Sequence, residues 1–422
     1  MKQKKLTKTI SGILSLGTFC LAHAGGETIT VTSVSDEPEA GLITLREAIA
    51  ISNDVSGAAI EFDSEVFSVP QTITLSNGNM LISESVTING PGKDLLTIDG
   101  AQNSKIFRID NDDESLINAE INDITLTNGQ TNADEDRAGG CIFSFENLTL
   151  NNSTISNCRS DGRAGAILAR FGSLNINNST VSDNFAGNDG GGVYSRQSVT
   201  VISNSTISNN TAVVSGGGIY AMRGSIIEIV NSTISQNDIR RPENNRGGGV
   251  FLKEGNTRLN LANTTVFSNT GEGIFIRDSS TINITNSIIA SNSTGDCDFS
   301  QINGNSANQN NLDTDGSCDV FASNHITVVD PLLDVLRDNG GLTMTHLPLD
   351  DSPVIDAGDD FLCTEFDQRG QARPQDGDGD GFNICDIGSV ELLQSEGNLI
   401  FKDGFDELAC DLEPTKGNRG CR

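Results

Sequence analysis

The chain has 422 residues, 45 of them glycine, with no tryptophan, two tyrosines and a formal net charge of −30. So acidic a chain argues against nucleic-acid binding, which demands a basic face, and glycines that cluster without a three-residue period exclude collagen. Apolar residues form 36% of the chain and recur in register, which speaks against disorder and for one large or two modest domains.

Residues 1–24 read as an export signal. Lys2, Lys4, Lys5 and Lys8 precede an apolar run from Ile10 to Leu21, and Ala22-His23-Ala24 supplies a small–x–small cleavage pattern. The run is shorter than the ~20 residues that span a bilayer. Cleavage after Ala24 leaves 23 basic against 57 acidic residues, a net charge of −34. The expected address is the secreted space or the cell surface, in association with an outer membrane.

Residues 25–80 are expected to form an N-terminal cap. Thr44-Leu45-Arg46-Glu47 places a hydroxyl at N-cap and a carboxylate at N3, the pattern of a capping box. It predicts a short helix from Leu45 to about Ser52, with Ala48 and Ile49 on one face, and makes Arg46 and Glu47 structural rather than catalytic.

Residues 81–330 are periodic. Asn152-Ser153-Thr154-Ile155-Ser156 recurs from Asn178, Asn204 and Asn231, with looser copies from Asn263 and Asn286, in steps of 26, 26, 27, 32 and 23 residues. Glycines run in phase at Gly139-Gly140, Gly165, Gly190–Gly192, Gly216–Gly218, Gly247–Gly249 and Gly273. Around each Asn, apolar and β-branched residues alternate with period two, as in Leu148, Leu150 and Ile155 or Ile227, Ile229 and Ile234, which is strand patterning. A coil of three short strands cannot bury an apolar face alone, but it can when stacked in parallel on copies of itself. The fold class is therefore all-β, a right-handed parallel β-helix of roughly nine to ten coils and about 45 Å. The Asn152 column should form an amide ladder along the stack, and the insert Asn237–Arg246 should project as a loop. Tyr194 and Tyr220 hold equivalent positions and should stack on each other.

Eight cysteines follow the leader, and neighbours along the chain are expected to pair: Cys141–Cys158, Cys297–Cys318, Cys363–Cys385 and Cys410–Cys421. Residues 331–393 form a terminal module and 394–422 a tail. Within the module, Asp376-Gly377-Asp378-Gly379-Asp380-Gly381 sets carboxylates at alternate positions, a pattern suited to Ca²⁺. Position twelve of that loop is Ile387, so Asp386 or Glu391 would have to stand in for the bidentate glutamate. The same pattern also suits a solvated acidic turn.

Three stretches carry a family resemblance. Ile29–Asn53, centred on Thr44-Leu45-Arg46-Glu47-Ala48-Ile49, resembles the CSLREA domain at the start of bacterial surface β-helix proteins, with Ile43 in place of that motif's cysteine. Val86-Thr87-Ile88-Asn89-Gly90-Pro91-Gly92 and Leu96-Thr97-Ile98-Asp99-Gly100 resemble the first coils of the same proteins. Asp330-Pro331-Leu332-Leu333, Asp338-Asn339-Gly340-Gly341-Leu342-Thr343, Ser352–Gly358, Asp367-Gln368-Arg369-Gly370 and Cys385-Asp386-Ile387-Gly388, in that order, resemble the choice-of-anchor Q domain of exported β-helix proteins. The resemblance implies an architecture and an extracellular address, and no particular reaction.

Parallel β-helices also include pectate lyases and polygalacturonases. The polygalacturonase motifs are missing, the repeat core from Asn152 to Asn292 has no histidine, and its acids are scattered. The sequence thus names no catalytic residue. It favours a non-catalytic, adhesin-like binding or structural protein over the alternative of a calcium-dependent polysaccharide lyase, with an extracellular polysaccharide or surface ligand as the expected partner.

Overall fold

The computed structural model describes residues 26–131, 138–241, 247–254, 256–278, 280–302, 306–320 and 322–393. The leader, the Cys410–Cys421 pair and the tail lie outside the described residues, as does the 242–246 part of the expected projecting loop.

The period-two alternation folds as expected, into short strands that each pair in parallel with the equivalent strand of the next coil. Leu148 registers with Leu174, Leu174 with Thr200, Thr200 with Ile227, Ile227 with Leu259 and Leu259 with Ile282, so the register follows the sequence repeat residue for residue. The strands form sheets of twelve, eleven and nine strands, joined by a fourth sheet of five two-residue strands. The fold is a right-handed parallel β-helix. Inward-facing Ile, Leu and Val form one continuous core along the axis.

The rod's open end is closed by a strand, Thr28–Val31, which extends the twelve-stranded sheet by pairing with Ala58–Phe62. The helix Leu45–Ser52 buries Leu45, Ala48 and Ile49, and its capping box is formed at both ends: Thr44 accepts from the Glu47 amide while the Glu47 carboxylate accepts from the Thr44 amide. Arg46 binds Asp36 bidentately, at 2.8 and 3.0 Å, which fixes the helix to the preceding loop. These contacts hold the Asp36 carboxyl below its usual range against the opposing effect of burial.

The asparagine ladder stands elsewhere than on the column read from the sequence. Asn152, Asn178, Asn204, Asn231, Asn263 and Asn286 all have φ between 43° and 50°. They make the left-handed corner between two strands, a conformation that asparagine tolerates better than other side chains. The buried ladder lies six residues later. Asn184, Asn210, Asn237, Asn269 and Asn292 pass amide-to-carbonyl bonds of 2.8, 3.0, 3.0 and 2.9 Å up the stack. In the coil that begins the series this place is taken by Cys158, bonded to Cys141, and the Cys158 amide donates to Asn184. A second ladder runs one residue before the corner, from Asn89 through Asn122 and Asn151 to Asn177. Asn237 is therefore a fully buried ladder residue, and the insert expected to project begins after the strand Asp238–Ile239.

The hydroxyl residue after each corner asparagine, serine except at Thr264, forms its own ladder, with the amides of Ser153, Ser179 and Ser205 donating to the hydroxyls of Ser179, Ser205 and Ser232. The repeated Asn-Ser-Thr triplet is thus a corner, a buried hydrogen bond and a sheet residue in turn. Cys297–Cys318 and Cys363–Cys385 are also bonded.

After residue 328 the chain turns back and lies along the eleven-stranded sheet. The corner and threonine columns of later coils receive it: Thr206 donates to the Met344 carbonyl at 2.6 Å, Asn231 to the Phe366 carbonyl at 2.7 Å, and Thr233 to the Gln368 side chain at 2.7 Å. His346 is buried at this seam. Its Nε2 accepts from the Ser235 hydroxyl at 2.8 Å while its Nδ1 donates to the Asp334 carbonyl at 2.6 Å. Burial pulls the imidazole pKa below its usual value. The neutral ring is the folded form, so its contribution is complete above the unfolded pKa of about 6.5 and declines as the pH falls through it. Hydrogen-exchange protection factors of residues 334–349, corrected for the intrinsic fall in exchange rate with pH, are expected to drop between about pH 6.5 and 5 in the wild type, and to do so much less in His346→Gln. Equal pH dependence in both would contradict this reading of the seam.

Candidate functional site

Two places in the fold gather chemistry that the architecture does not require. The first lies in the terminal module. Asp356, Asp376 and Asp378 each present a carboxylate oxygen within 4.8 Å of the others. Asp356 reaches the loop from the preceding turn and accepts from the Gly377 and Asp378 amides. Asp376 accepts from Gly379 and Gly381, which wraps the loop around its side chain. Burial, with Asp378 and Asp376 beside it, raises the Asp356 pKa. A set of oxygen donors that repel one another is a donor set for a hard cation.

Of the residues expected at this site, the structure brings Asp376 and Asp378 together. Asp380 is outside the cluster and accepts from the Phe382 amide instead. Neither Asp386 nor Glu391 completes the site. Both are buried, where Glu391 lies 3.5 Å from Arg373 and accepts from the Asp386 amide, and Asp386 accepts from the Leu392 amide. Burial and the neighbouring Glu391 push the Asp386 carboxyl well above its usual range. Asp356 escaped notice because it is twenty residues before the Asp-Gly run, and only the return of the chain places it there.

The second place is the outer face of the nine-stranded sheet. In Ile167–Arg170, Val193–Arg196, Ile219–Met222 and Val250–Lys253, alternate residues enter the core and the others point outward. The outward residues form two columns. One is aromatic: Tyr194, Tyr220, Phe251 and Phe275 stack at 5.0, 5.0 and 5.1 Å with interplanar angles of 4°, 12° and 15°. The expected Tyr194–Tyr220 pair is thus part of a four-ring column. These rings are buried beneath the preceding glycine turns and form a small core of their own with Phe143 and Leu168.

The other column is Arg170, Arg196, Met222 and Lys253. Arg163 reaches over Tyr194 from the turn before the strand, at 5.7 Å from the ring. Arg163, Arg170 and Arg196 line one cavity of about 310 Å³, together with Asp161, Phe143, Leu168 and Tyr194. Sequence reasoning missed this site, although Arg170 and Arg196 are one 26-residue period apart and therefore legible as register neighbours.

Residues 144–330 match the family described as right handed beta helix region. A comparison with curated proteins finds no match. Among solved structures, the chain is similar to the crystal structure of pectate lyase Pel9A, with 13% identity, a TM-score of 0.47, and coverage of 87% of this chain and 97% of that one. Among the described residues no helix is long and apolar enough to cross a membrane.

Proposed function

We propose that this chain is an exported β-helix protein that binds acidic polysaccharide along the outer face of its nine-stranded sheet. The observation that carries the reading is the segregation of charge. A chain of net charge −30 sets Arg170, Arg196 and Lys253 in one column on the outer face of one sheet, with Arg163 beside them from the preceding turn. Such a face gives the rod a local field of the opposite sign, and it suits a long polyanion laid along the stack. Export agrees with the leader-like N-terminus, with the disulfides, which form in oxidising compartments, and with the resemblance to CSLREA and choice-of-anchor Q modules. Asp356, Asp376 and Asp378 hold Ca²⁺ in this reading, which stiffens the terminal module.

A second reading is a calcium-dependent polysaccharide lyase, favoured by the presence of an acidic cation cluster on a β-helix. That chemistry needs the metal and a base beside the same sugar. Here the carboxylates belong to the segment on the eleven-stranded sheet and the arginines to the nine-stranded sheet, so the binding reading requires less.

Residues 25–422 applied to immobilised polygalacturonate, alginate and neutral glucan, with and without calcium, separate these readings. Retention on the acidic polymers alone, with no ultraviolet absorbance from unsaturated products, is the expected result. Calcium-dependent release of unsaturated products would move the assignment to the lyase. Equal retention on neutral glucan, or none on any polymer, would refute the binding reading. In the same preparation, calcium at a hundredfold excess over its dissociation constant is expected to stabilise the fold by about 2.7 kcal/mol, an increment absent from Asp378→Asn.

A further inference from the structure

We propose that the cavity bordered by Arg163, Arg170 and Arg196 is a subsite for a single sugar ring bearing an oxyanion, and that a uronate carboxylate is the group it fits best. This rests on the reading of the nine-stranded face as a binding surface, and adds to it a specific pocket and a specific ligand group.

The first argument is register. Arg170 and Arg196 are direct partners on adjacent parallel strands, where backbones lie about 4.8 Å apart. Like charges directly opposite one another are destabilising. The fold does not demand a cation there, because the same register position in the next coil is Met222. With the Arg170 guanidinium over the Phe145 and Phe171 rings, the fold keeps two arginines at adjacent register positions on one face, a concentration of positive charge that a bound anion would offset.

The second argument is the lack of an internal partner. Among the described residues Arg196 pairs with no acid, and its Nε is buried without a hydrogen bond. A buried donor left in that state costs about 1–3 kcal/mol. Asp161 is drawn to within 3.7 Å of Arg159, outside the cavity, and Asp189 lies 3.8 Å from Arg163 and offsets that arginine rather than Arg196. Arg196 is therefore the lining arginine whose charge no acid of the described residues offsets.

The third argument is shape. Phe143, Leu168 and Tyr194 give the cavity an apolar part to its lining beside the charged one. Its volume of about 310 Å³ is at the lower end of the range for small-ligand sites, enough for one ring rather than an extended chain. A guanidinium fork matches a planar carboxylate through two parallel bonds, a geometry that a neutral hydroxymethyl group cannot reproduce. A sulfate ester shares the charge but is tetrahedral, so it serves as the discriminating probe.

Calorimetric titration of the mature chain in calcium-free buffer of low ionic strength tests the assignment. The probes are trigalacturonate, its methyl ester, and a sulfated neutral trisaccharide. Trigalacturonate is expected to bind at least tenfold more tightly than its ester. Arg196→Gln and Arg170→Gln should each weaken it by tenfold or more, with Arg196→Lys recovering part of the loss and all three melting like the wild type. The exposed Arg163→Gln repeats the test should either half-buried variant fail to fold. Equal affinity for acid and ester, or arginine variants that bind normally, would overturn the subsite. Tighter binding of the sulfated probe would overturn the uronate assignment. Lys253→Gln distinguishes the subsite from the broader face. If it and the pocket variants leave polygalacturonate retention unchanged while trigalacturonate still requires Arg196, the extended face fails and the pocket stands. If retention depends on Lys253 alone, the face stands and the pocket fails.

Discussion

Gly217→Ala is expected to destabilise the rod by at least about 3 kcal/mol and to lower the yield of folded protein sharply. A Cβ at Gly217 would lie 2.5 Å from the Gly248 carbonyl oxygen and 2.8 Å from the Asp238 carbonyl oxygen. All of these atoms are backbone, so no side chain can swing away. The only relief is to spread adjacent coils, and that lengthens hydrogen bonds such as Gly218 to Gly248, now 2.9 Å. Gly224→Ala is the control. Gly224 has φ +81° and open space around it, so it registers the cost of a left-handed conformation, about 1 kcal/mol, without the clash. Denaturant midpoints of the two variants measure the difference, and equal midpoints would contradict close coil contact as the reason for the glycine column.

Arg373→Met is expected to free the terminal module from the rod, with a loss of about 3–5 kcal/mol at neutral pH. The Arg373 side chain is wholly buried and donates to the Asp386 and Gly388 carbonyls at 2.9 and 2.8 Å, with Glu391 at 3.5 Å. The neighbouring Arg369 is committed to Asp367 at 3.0 Å. Without Arg373, two buried carboxyls lose their compensating cation. Burial already raises both Asp386 and Glu391 above their usual ranges, and the substitution raises them further. A carboxyl with a raised folded pKa costs stability as the pH climbs from its unfolded pKa, about 4, towards the folded one. The variant's deficit should therefore be smallest near pH 4 and grow towards neutrality. Limited proteolysis around the exposed Val329 and Val335 reports the release. Cleavage as slow as in the wild type at pH 7 would show that the ion network does not hold the module.

The twelve-stranded register could be read from the repeat because in a stacked coil each residue meets its own equivalent one period later. The same rule makes Arg170 and Arg196 neighbours. What the repeat leaves open is direction. The corner Asn178 and the ladder Asn184 recur with the same period and the same residue type, and periodicity cannot tell which points inward. Backbone conformation decides it: a φ near +50° turns the corner side chain away from the core, and six residues later the chain presents a buried donor and acceptor to the next coil.

The acidic site shows the limit from the other side. Asp376 and Asp378 were legible because a turn is a local object. Asp356 was not, since its place depends on how the segment after residue 328 folds back onto Asn231, Thr233 and Asn286. Asp386 and Glu391 looked available in the sequence because a carboxylate's burial is not written in its neighbours.

By itself, then, the sequence determined everything that repeats: the coil, its strand register, the glycine corner, the parallel stack and the adjacency of Arg170 to Arg196. These follow from local alternation and one period, which any consistent stacking must satisfy. Only the tertiary structure decided which asparagines form the buried ladder, which carboxylates converge, and that the cations on one face of an acidic rod enclose a cavity. Those depend on side-chain direction and on contacts between segments more than a hundred residues apart, which no local pattern encodes.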